Sequence, residues 1–125
     1  ANFLVRYYLI AWASQQVNMV SWHQLIAAGY GLIDNRDGLR KRSSFYAYKF
    51  LVSIINGATF TSLDIKSKYF KLKCHKQQQT ITVYWSLAET MLPRDDNSVV
   101  FSRDGKEIST TNMKISSSPI YVITK

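Results

Sequence analysis

The sequence has a single cysteine, Cys74, and this excludes an internal disulfide framework. It has no apolar run long enough to span a bilayer, so we predict no membrane partner. It has no internal repeat, and its one low-complexity tract is Gln77–Gln79. What remains is typical of a folded domain, because 46% of the 125 residues are apolar and 14% are aromatic, the opposite of the balance in disordered chains.

Metal-binding and nucleophilic groups are scarce as well. The sequence has two histidines, His23 and His75, too few to complete a zinc site with Cys74. No nucleophile-elbow motif frames any of the serines. Gly29-Tyr30-Gly31 lacks the length and the lysine of a phosphate-binding loop. We therefore predict no metal site and no cofactor.

Acidic residues are outnumbered, with eight against sixteen lysines and arginines, and the net charge is +8. Such an excess favours anionic partners, nucleic acid first among them. These cations cluster in one loop and along one predicted strand with its turn. The alternative to a binding surface is that they lie on solvent-exposed faces of the loop and strand and bind no partner. If they bind a partner, the candidate basic patch consists of Arg36, Arg40, Lys41, Arg42, Lys71 and Lys73.

Two helices and one strand are predicted in the first half of the chain. Residues 2–15 carry apolar side chains at helical spacing on two adjoining faces, so this helix is expected to be buried on two sides or to contact a partner. Asn18–Leu25 then reads as a buried strand that ends in an aromatic and polar cluster. After a glycine-containing loop, a second amphipathic helix begins at an N-cap Ser43 or Ser44 and ends near Ile55.

From Ala58 onward the apolar residues alternate with a period of two, which predicts strands. His75–Gln78 is expected to be the turn of one hairpin, and Arg103–Lys106, with its Asp-Gly pair, the turn of another. The second half is therefore predicted to be an antiparallel sheet or sandwich. Its candidate strands are Ala58–Leu63, Lys68–Cys74, Thr80–Ser86, Ser98–Ser102, Lys106–Ile108, Lys114–Ser116 and Ile120–Thr124.

The order of these segments resembles the C-terminal end of clan A retaining glycoside hydrolases, in families whose TIM barrel is followed by a small β-sandwich. The Leu-Val-Arg-Tyr-Tyr-Leu-Ile-Ala motif of residues 4–11 is similar to the seventh barrel helix, and Asn18–Leu25 to the eighth strand. Gly31–Asp34 resembles the loop that follows, and Arg42–Lys49 the start of the eighth helix, with Ser43 where proline is usual. Residues 82–86, 104–105 and 118–121 are similar to segments of the sandwich.

The resemblance implies an α+β fold: a helix-strand-helix remnant of the end of a (β/α)8 barrel, residues 1–57, followed by an antiparallel β-domain, residues 58–125. Such a remnant exposes sheet edges and apolar helix faces, so we expect a homo-oligomer or association with a missing upstream barrel. The chain begins without methionine inside a predicted helix, and we expect it to be an excised or processed piece. As a further alternative, the chain has refolded with both helices packed on one sheet.

The resemblance also implies a function. Clan members hydrolyse glycosides with two glutamates on earlier barrel strands, whereas the glutamates of this sequence, Glu89 and Glu107, fall in the β-domain. We therefore predict no catalytic residue and a structural, non-catalytic fragment or truncated relative. Trp22 matches the aromatic residue beneath the sugar, with His23 and Gln24 as hydrogen-bonding neighbours, or else it is a core or interface aromatic.

A different class of function stays open beside this one. It is a small basic module that binds nucleic acid or an acidic polysaccharide through the basic patch, although nucleic acid is the less favoured partner.

Overall fold

Two helices and nine strands make up the computed structural model, which describes residues 1–109 and 111–125. In chain order they are α1 (Asn2–Ser14), β1 (Ile33–Asp34), β2 (Arg40–Lys41), α2 (Ser43–Ile55), β3 (Thr59–Ile65), β4 (Phe70–Lys76), β5 (Gln79–Trp85), β6 (Thr90–Pro93), β7 (Ser98–Phe101), β8 (Asn112–Ile115) and β9 (Ile120–Thr124). The chain is thus a small β-rich domain with two helices.

Five strands form one antiparallel sheet in the order β3-β4-β5-β9-β7. β4 and β5 form a hairpin in which Leu72 lies opposite Val83, and Gln77 takes a positive φ of 55° in its turn. The last strand, β9, pairs with β5 on one side and with β7 on the other, and Tyr121 lies opposite Val83. Two further pairs stand apart from this sheet: the short ribbon β1-β2 and the ribbon β6-β8.

The core is arranged in layers on the two faces of the five-stranded sheet. Side chains of both helices pack with one face of β4, β5 and β9, which we call the inner face. The ribbon β6-β8 covers part of the opposite, outer face, over β7 and β9. Fully buried members of the main core include Leu4, Leu9, Leu51, Leu72, Ile81, Val83, Trp85 and Tyr121, and the smaller core consists of Val100, Met113, Ile115, Ile120 and Val122.

The predicted fold class, an α+β arrangement containing the end of a barrel, is wrong. Residues 18–25 form neither helix nor strand, and Met19 within them is 82% exposed. A barrel strand is buried only when parallel strands flank it and helices cover it. In the described chain no parallel strand flanks this stretch, and the isolated parallel bridges there join Ile26 to Ile33 and Arg36 to Gly38. Each helix buries one apolar face against the antiparallel sheet instead.

Most local elements agree with the sequence, and their ends differ. The helices lie where they were predicted, but the N-cap of α2 is Arg42, without a side-chain cap, so Ser43 and Ser44 are helical residues. The predicted strand at Lys106–Ile108 is reduced to a bridge between Phe101 and Glu107. β6 and the β1-β2 ribbon were not predicted. The division into residues 1–57 and 58–125 stays a prediction.

Both helices are 13 residues long. Within the described ranges, no helix has the length and apolar character needed to cross a membrane.

Candidate functional site

The predicted carbohydrate-contacting residues lie in an irregular stretch between α1 and β1, residues 15–32, which we call the connecting segment. It begins where Gln15 ends α1 in a left-handed conformation, with a φ of 53°. Near its end, the Gly31 amide donates to the Ala27 carbonyl over 3.2 Å, and the Ile33 amide donates to the Leu25 carbonyl over 2.9 Å. A Cβ atom on Gly31 would collide with the backbone of Ala27, so this turn requires glycine.

Trp22, His23 and Gln24 differ in their surroundings. Trp22 is half-buried and packs against the main core, so its position is anchored while the residue keeps some exposed surface. His23 and Gln24 are exposed. The His23 ring stacks on Tyr30, with 5.8 Å between ring centroids and 28° between planes. The structure therefore places the three residues on one exposed segment and adds a second aromatic side chain.

Tyr30 is a residue that the sequence analysis missed as part of this site. It is 60% exposed, and the two flanking glycines leave its ring free of neighbouring side chains in sequence. An aromatic residue between two glycines, eight positions after Trp22, was the available signal.

The Arg36–Arg42 loop is organised around a buried carboxylate. Asp34 is 2% exposed and accepts hydrogen bonds from Arg36 Nη2 at 2.6 Å, from Arg36 Nε at 3.0 Å and from Arg42 Nη2 at 2.7 Å. Arg40 Nη2 lies 3.5 Å from the same carboxylate. The hydrogen bonds from the side chain and then the backbone of Arg36, followed by those from Arg42, hold the pKa of Asp34 well below its ordinary value.

This ion-pair cluster changes what the loop can offer to a partner. Arg36 and Arg42 are engaged with Asp34, while Arg40 is 75% exposed. Lys41 lies over the Phe45 ring, with Nζ 5.0 Å from its centroid. The loop keeps an excess of positive charge, but two of its arginines, Arg36 and Arg42, are already paired with the carboxylate of Asp34. Asp34, which the sequence analysis did not single out, is the centre of this cluster.

Lys71 and Lys73, the other members of the predicted basic patch, project from β4 on the outer face of the sheet. Leu72 and Cys74 alternate with them and point into the core beneath the helices. Lys71 Nζ lies 5.9 Å from the centroid of Tyr84, and Tyr84 contacts Tyr69 edge to face at 5.8 Å. The loop packs on the helix side instead, through β2 and α2. The predicted patch is therefore split into two groups on opposite faces of the sheet.

Two adjacent grooves lie at the end of the sheet beside α1. The first, which we call the apolar groove, has a volume of about 510 Å³ and is lined by Phe3, Arg6, Tyr7, Ile10, Ala11, Phe70, Trp85 and Leu87. The second, the polar groove, has a volume of about 430 Å³ and shares Phe70 and Leu87 with the first. It is otherwise lined by residues 66–69, 86 and 88–90. Helical spacing predicts the apolar face of α1, but no sequence pattern predicts that the loop residue Leu87 lies beside it.

Groups with catalytic or metal-binding chemistry are dispersed. Glu89 forms an exposed ion pair with Lys114, with 2.8 Å between Oε1 and Nζ. Burial raises the pKa of the Cys74 thiol to about 11, although Lys76 acts in the opposite direction. Among residues 1–109 and 111–125, no group of three or more His, Cys, Asp or Glu side chains is placed to hold a metal ion.

Comparison with known proteins gives a likeness of fold. No protein-family model matches this sequence, and no curated protein sequence matches it. The solved structure of a family 39 glycoside hydrolase from the gut symbiont Bacteroides cellulosilyticus WH2 superposes with a TM-score of 0.80 at 19% sequence identity. The match covers 99% of this chain and 30% of that chain. The predicted resemblance to a glycoside hydrolase is thus confirmed in part, as a likeness in fold to a fragment of one.

Proposed function

We propose that this chain is a non-catalytic, accessory β-rich domain related to family 39 glycoside hydrolases, and that it contacts carbohydrate through the connecting segment. The observation that carries the proposal is the likeness in fold, which extends over 99% of the chain. The related protein is named for its glycoside hydrolase family, and a carbohydrate is the class of ligand that such a relationship suggests.

The carboxylates of the chain support a non-catalytic role. Retaining glycoside hydrolysis uses an acid/base and a nucleophile carboxylate about 5–5.5 Å apart. The two glutamates of the sequence are Glu89, which is paired with Lys114, and Glu107, which lies at the bridge to Phe101. Asp34 is buried and engaged with arginines. We assign no hydrolytic step to this chain.

The connecting segment supports carbohydrate contact. An indole face packs on the apolar C–H surface of a pyranose, while neighbouring polar groups hydrogen-bond its hydroxyls. Trp22 packs against the core and is half-buried, so the residue keeps some accessible surface. The exposed His23 and Gln24 follow it directly, and Tyr30 adds an aromatic face stacked on His23. The segment thus combines aromatic surface with hydrogen-bonding groups.

Affinity electrophoresis through gels that contain neutral polysaccharides tests this proposal. We expect the wild-type chain to be retarded by at least one polysaccharide and Trp22→Ala to weaken that binding by about tenfold, as loss of an aromatic contact does. Tyr46→Ala, which removes a 49% exposed aromatic on α2, is the matched control and should leave binding unchanged. Because Trp22 contacts the core, circular dichroism must show that the variant is folded, and Gln24→Ala provides a second test.

Two results would reject the proposed carbohydrate contact. One is the absence of retardation in every polysaccharide gel. The other is retardation that Trp22→Ala and Gln24→Ala leave unchanged while both variants remain folded.

A second candidate function is the basic binding module, and one observation supports it. Lys71 lies over Tyr84, which contacts Tyr69, and Lys73 projects from the same outer face. Aromatic side chains among lysines on a sheet face are typical of surfaces on which nucleic acid bases stack. This candidate requires the face of β4 and β5 rather than the connecting segment, so variants separate the two.

A further inference from the structure

Helix α1 is apolar on two faces, and the domain buries only one of them. Leu4, Val5 and Leu9 are at most 1% exposed and belong to the main core. On the other face, the exposed fractions of Phe3, Tyr7 and Ile10 are 66%, 44% and 49%. These three residues follow at steps of four and three, so they form one ridge along the helix surface. The Phe3 and Tyr7 rings are stacked, with 6.2 Å between their centroids.

The ridge forms one wall of the apolar groove. Phe70 lines the opposite side, with its ring stacked on the fully buried Trp85 at 3° between planes and 5.2 Å between centroids, and Leu87 beside it is 82% exposed. An apolar groove beside an exposed ridge is the shape into which an amphipathic helix packs, with its own side chains placed between those of α1. The groove therefore has the geometry of a helix-docking surface.

The charges around the groove decide what kind of helix it would accept. Arg6 is the one charged residue of the lining, and its side chain makes no hydrogen bond or ion pair with the described part of the chain. The side chains of Lys66 and Lys68, in the adjoining polar groove, make none with those residues either. The acid of that groove, Glu89, is already paired with Lys114. The site is therefore apolar with a positive edge that nothing in the described chain neutralises.

We propose that the apolar groove docks an amphipathic helix of a partner protein whose edge is acidic. The apolar side chains of that helix pack against the ridge and Leu87, and its carboxylates pair with Arg6, Lys66 and Lys68. A second copy of this chain would bring the same cations to both sides of a two-fold interface, where like charges oppose association. A saccharide would need hydrogen-bonding groups that the lining, apart from Arg6 and Tyr7, does not present.

A selection experiment tests the proposal. A phage-displayed library of helical peptides of about 14 residues, roughly four turns, is selected on the wild-type chain and in parallel on Ile10→Asp. We expect the wild-type chain to enrich peptides with apolar residues at helical spacing and more acidic than basic residues. For an enriched peptide, Ile10→Asp and Arg6→Glu are each expected to raise Kd by at least about tenfold. Leu39→Asp is the matched control, because Leu39 is 74% exposed and does not line the groove, and its Kd should not change.

Three results would overturn the proposal. The first is an absence of peptides enriched on the wild-type chain relative to Ile10→Asp. The second is enrichment of peptides without an acidic excess, or with affinities that Arg6→Glu leaves unchanged. The third is a dimer in light scattering that Ile10→Asp converts to a monomer, since the occupant of the groove would then be a second copy.

Discussion

Asp34 is the one buried acidic side chain among the described residues, and three arginines surround it. Burying a carboxylate is unfavourable unless hydrogen bonds and opposite charges compensate for lost hydration. Arg36 and Arg42 provide that compensation, and Arg42 is also the N-cap residue of α2. The cluster therefore fixes the course of the loop from β1 to α2, a structural role that competes with the binding role predicted for these arginines.

The Asp34 cluster should make stability depend on pH in the acid range. The pKa of Asp34 is held below its ordinary value in the folded chain, so as the pH falls the Asp34 carboxylate is protonated more readily in the unfolded chain. The stabilisation is fully present above the unfolded pKa of about 4 and decreases as the pH falls towards the depressed folded pKa. We expect the urea midpoint of wild type to decrease from about pH 4 to pH 2, and Asp34→Asn to remove that part of the decrease.

Urea unfolding followed by tryptophan fluorescence at several pH values measures this effect. Asp37→Asn, at a neighbouring exposed aspartate, is the control and should retain the wild-type dependence. Equal pH dependence in Asp34→Asn and wild type would contradict the assignment.

Gly105 and Gly38 are matched turn positions, and alanine is expected to be the more damaging at Gly105. Its φ is 84°, and a Cβ atom there would lie 2.5 Å from Cδ2 of Phe50. The Phe50 ring cannot move freely because it packs against Phe101 and Tyr121, at centroid distances of 5.7 and 5.1 Å. We expect Gly105→Ala to lower the free energy of unfolding by about 2–4 kcal/mol, from backbone strain and steric overlap together.

Gly38 isolates the backbone contribution. Its φ is 85°, but no atom lies within 4 Å of the position that a Cβ atom would take there, so only the backbone strain applies. Gly38→Ala should therefore cost about 1 kcal/mol in the same urea measurement. If both substitutions had the same effect, contact with Phe50 would not be the cause.

The connecting segment is the least hydrogen-bonded stretch between the two helices. The amides of residues 17–25 make no hydrogen bond to the described residues. In contrast, β5 pairs with β4 and β9, and β9 pairs with β5 and β7, so each of these strands has a neighbour on both sides. Residues 17–25 contact the core through two half-buried apolar side chains, Val20 and Trp22. A segment held in this way can adjust to a ligand more readily than the sheet can.

Hydrogen exchange followed by mass spectrometry should distinguish these elements. We expect peptides from residues 17–25 to exchange within seconds to minutes, and peptides from β5 and β9 to be the slowest of the chain, because amides exchange mainly when their hydrogen bonds open. Exposed residues 95–96, in the turn before β7, serve as a fast-exchanging reference. Protection of residues 17–25 equal to that of β5 would show that this segment is structured by contacts other than those described above.

The whole molecule carries a net charge of +8, and its charge distribution separates the two candidate functions. Stacking of a neutral sugar on Trp22 involves no counterion release, whereas binding of nucleic acid or an acidic polysaccharide does. We expect affinity for a neutral polysaccharide to stay within about twofold between 50 and 200 mM salt, a range over which a binder of several phosphates loses affinity by orders of magnitude.

The same salt series with a single-stranded oligonucleotide completes this test. The basic-module function predicts steep salt dependence and a loss of affinity in the double variant Lys71→Gln/Lys73→Gln. Arg40→Gln, which changes an exposed cation on the opposite side of the sheet, is its control. Salt-independent binding of neutral polysaccharide together with weak oligonucleotide binding would reject the basic module.

Local patterns in the sequence determined the helices and the central hairpin. α1 and α2 lie where helical periodicity indicates, and β4 and β5 pair where residues alternate. Both kinds of element form hydrogen bonds between residues close in sequence, so composition over a short window is enough to specify them. The resemblance to a glycoside hydrolase also rested on the order of such segments, and a likeness in fold bears it out in part.

Tertiary structure alone decided how the apolar segments are used. Asn18–Leu25 has the composition of a buried strand, but a strand needs neighbours to pair with. In the described chain only its last residue has one, because the Leu25 carbonyl accepts from the Ile33 amide. The burial of Asp34 and the exposure of the second face of α1 likewise depend on which elements meet in space. Phe3 and Leu87 line the same groove although they are far apart in sequence. Only loop conformation and sheet packing bring them together, so no short sequence window could predict the groove.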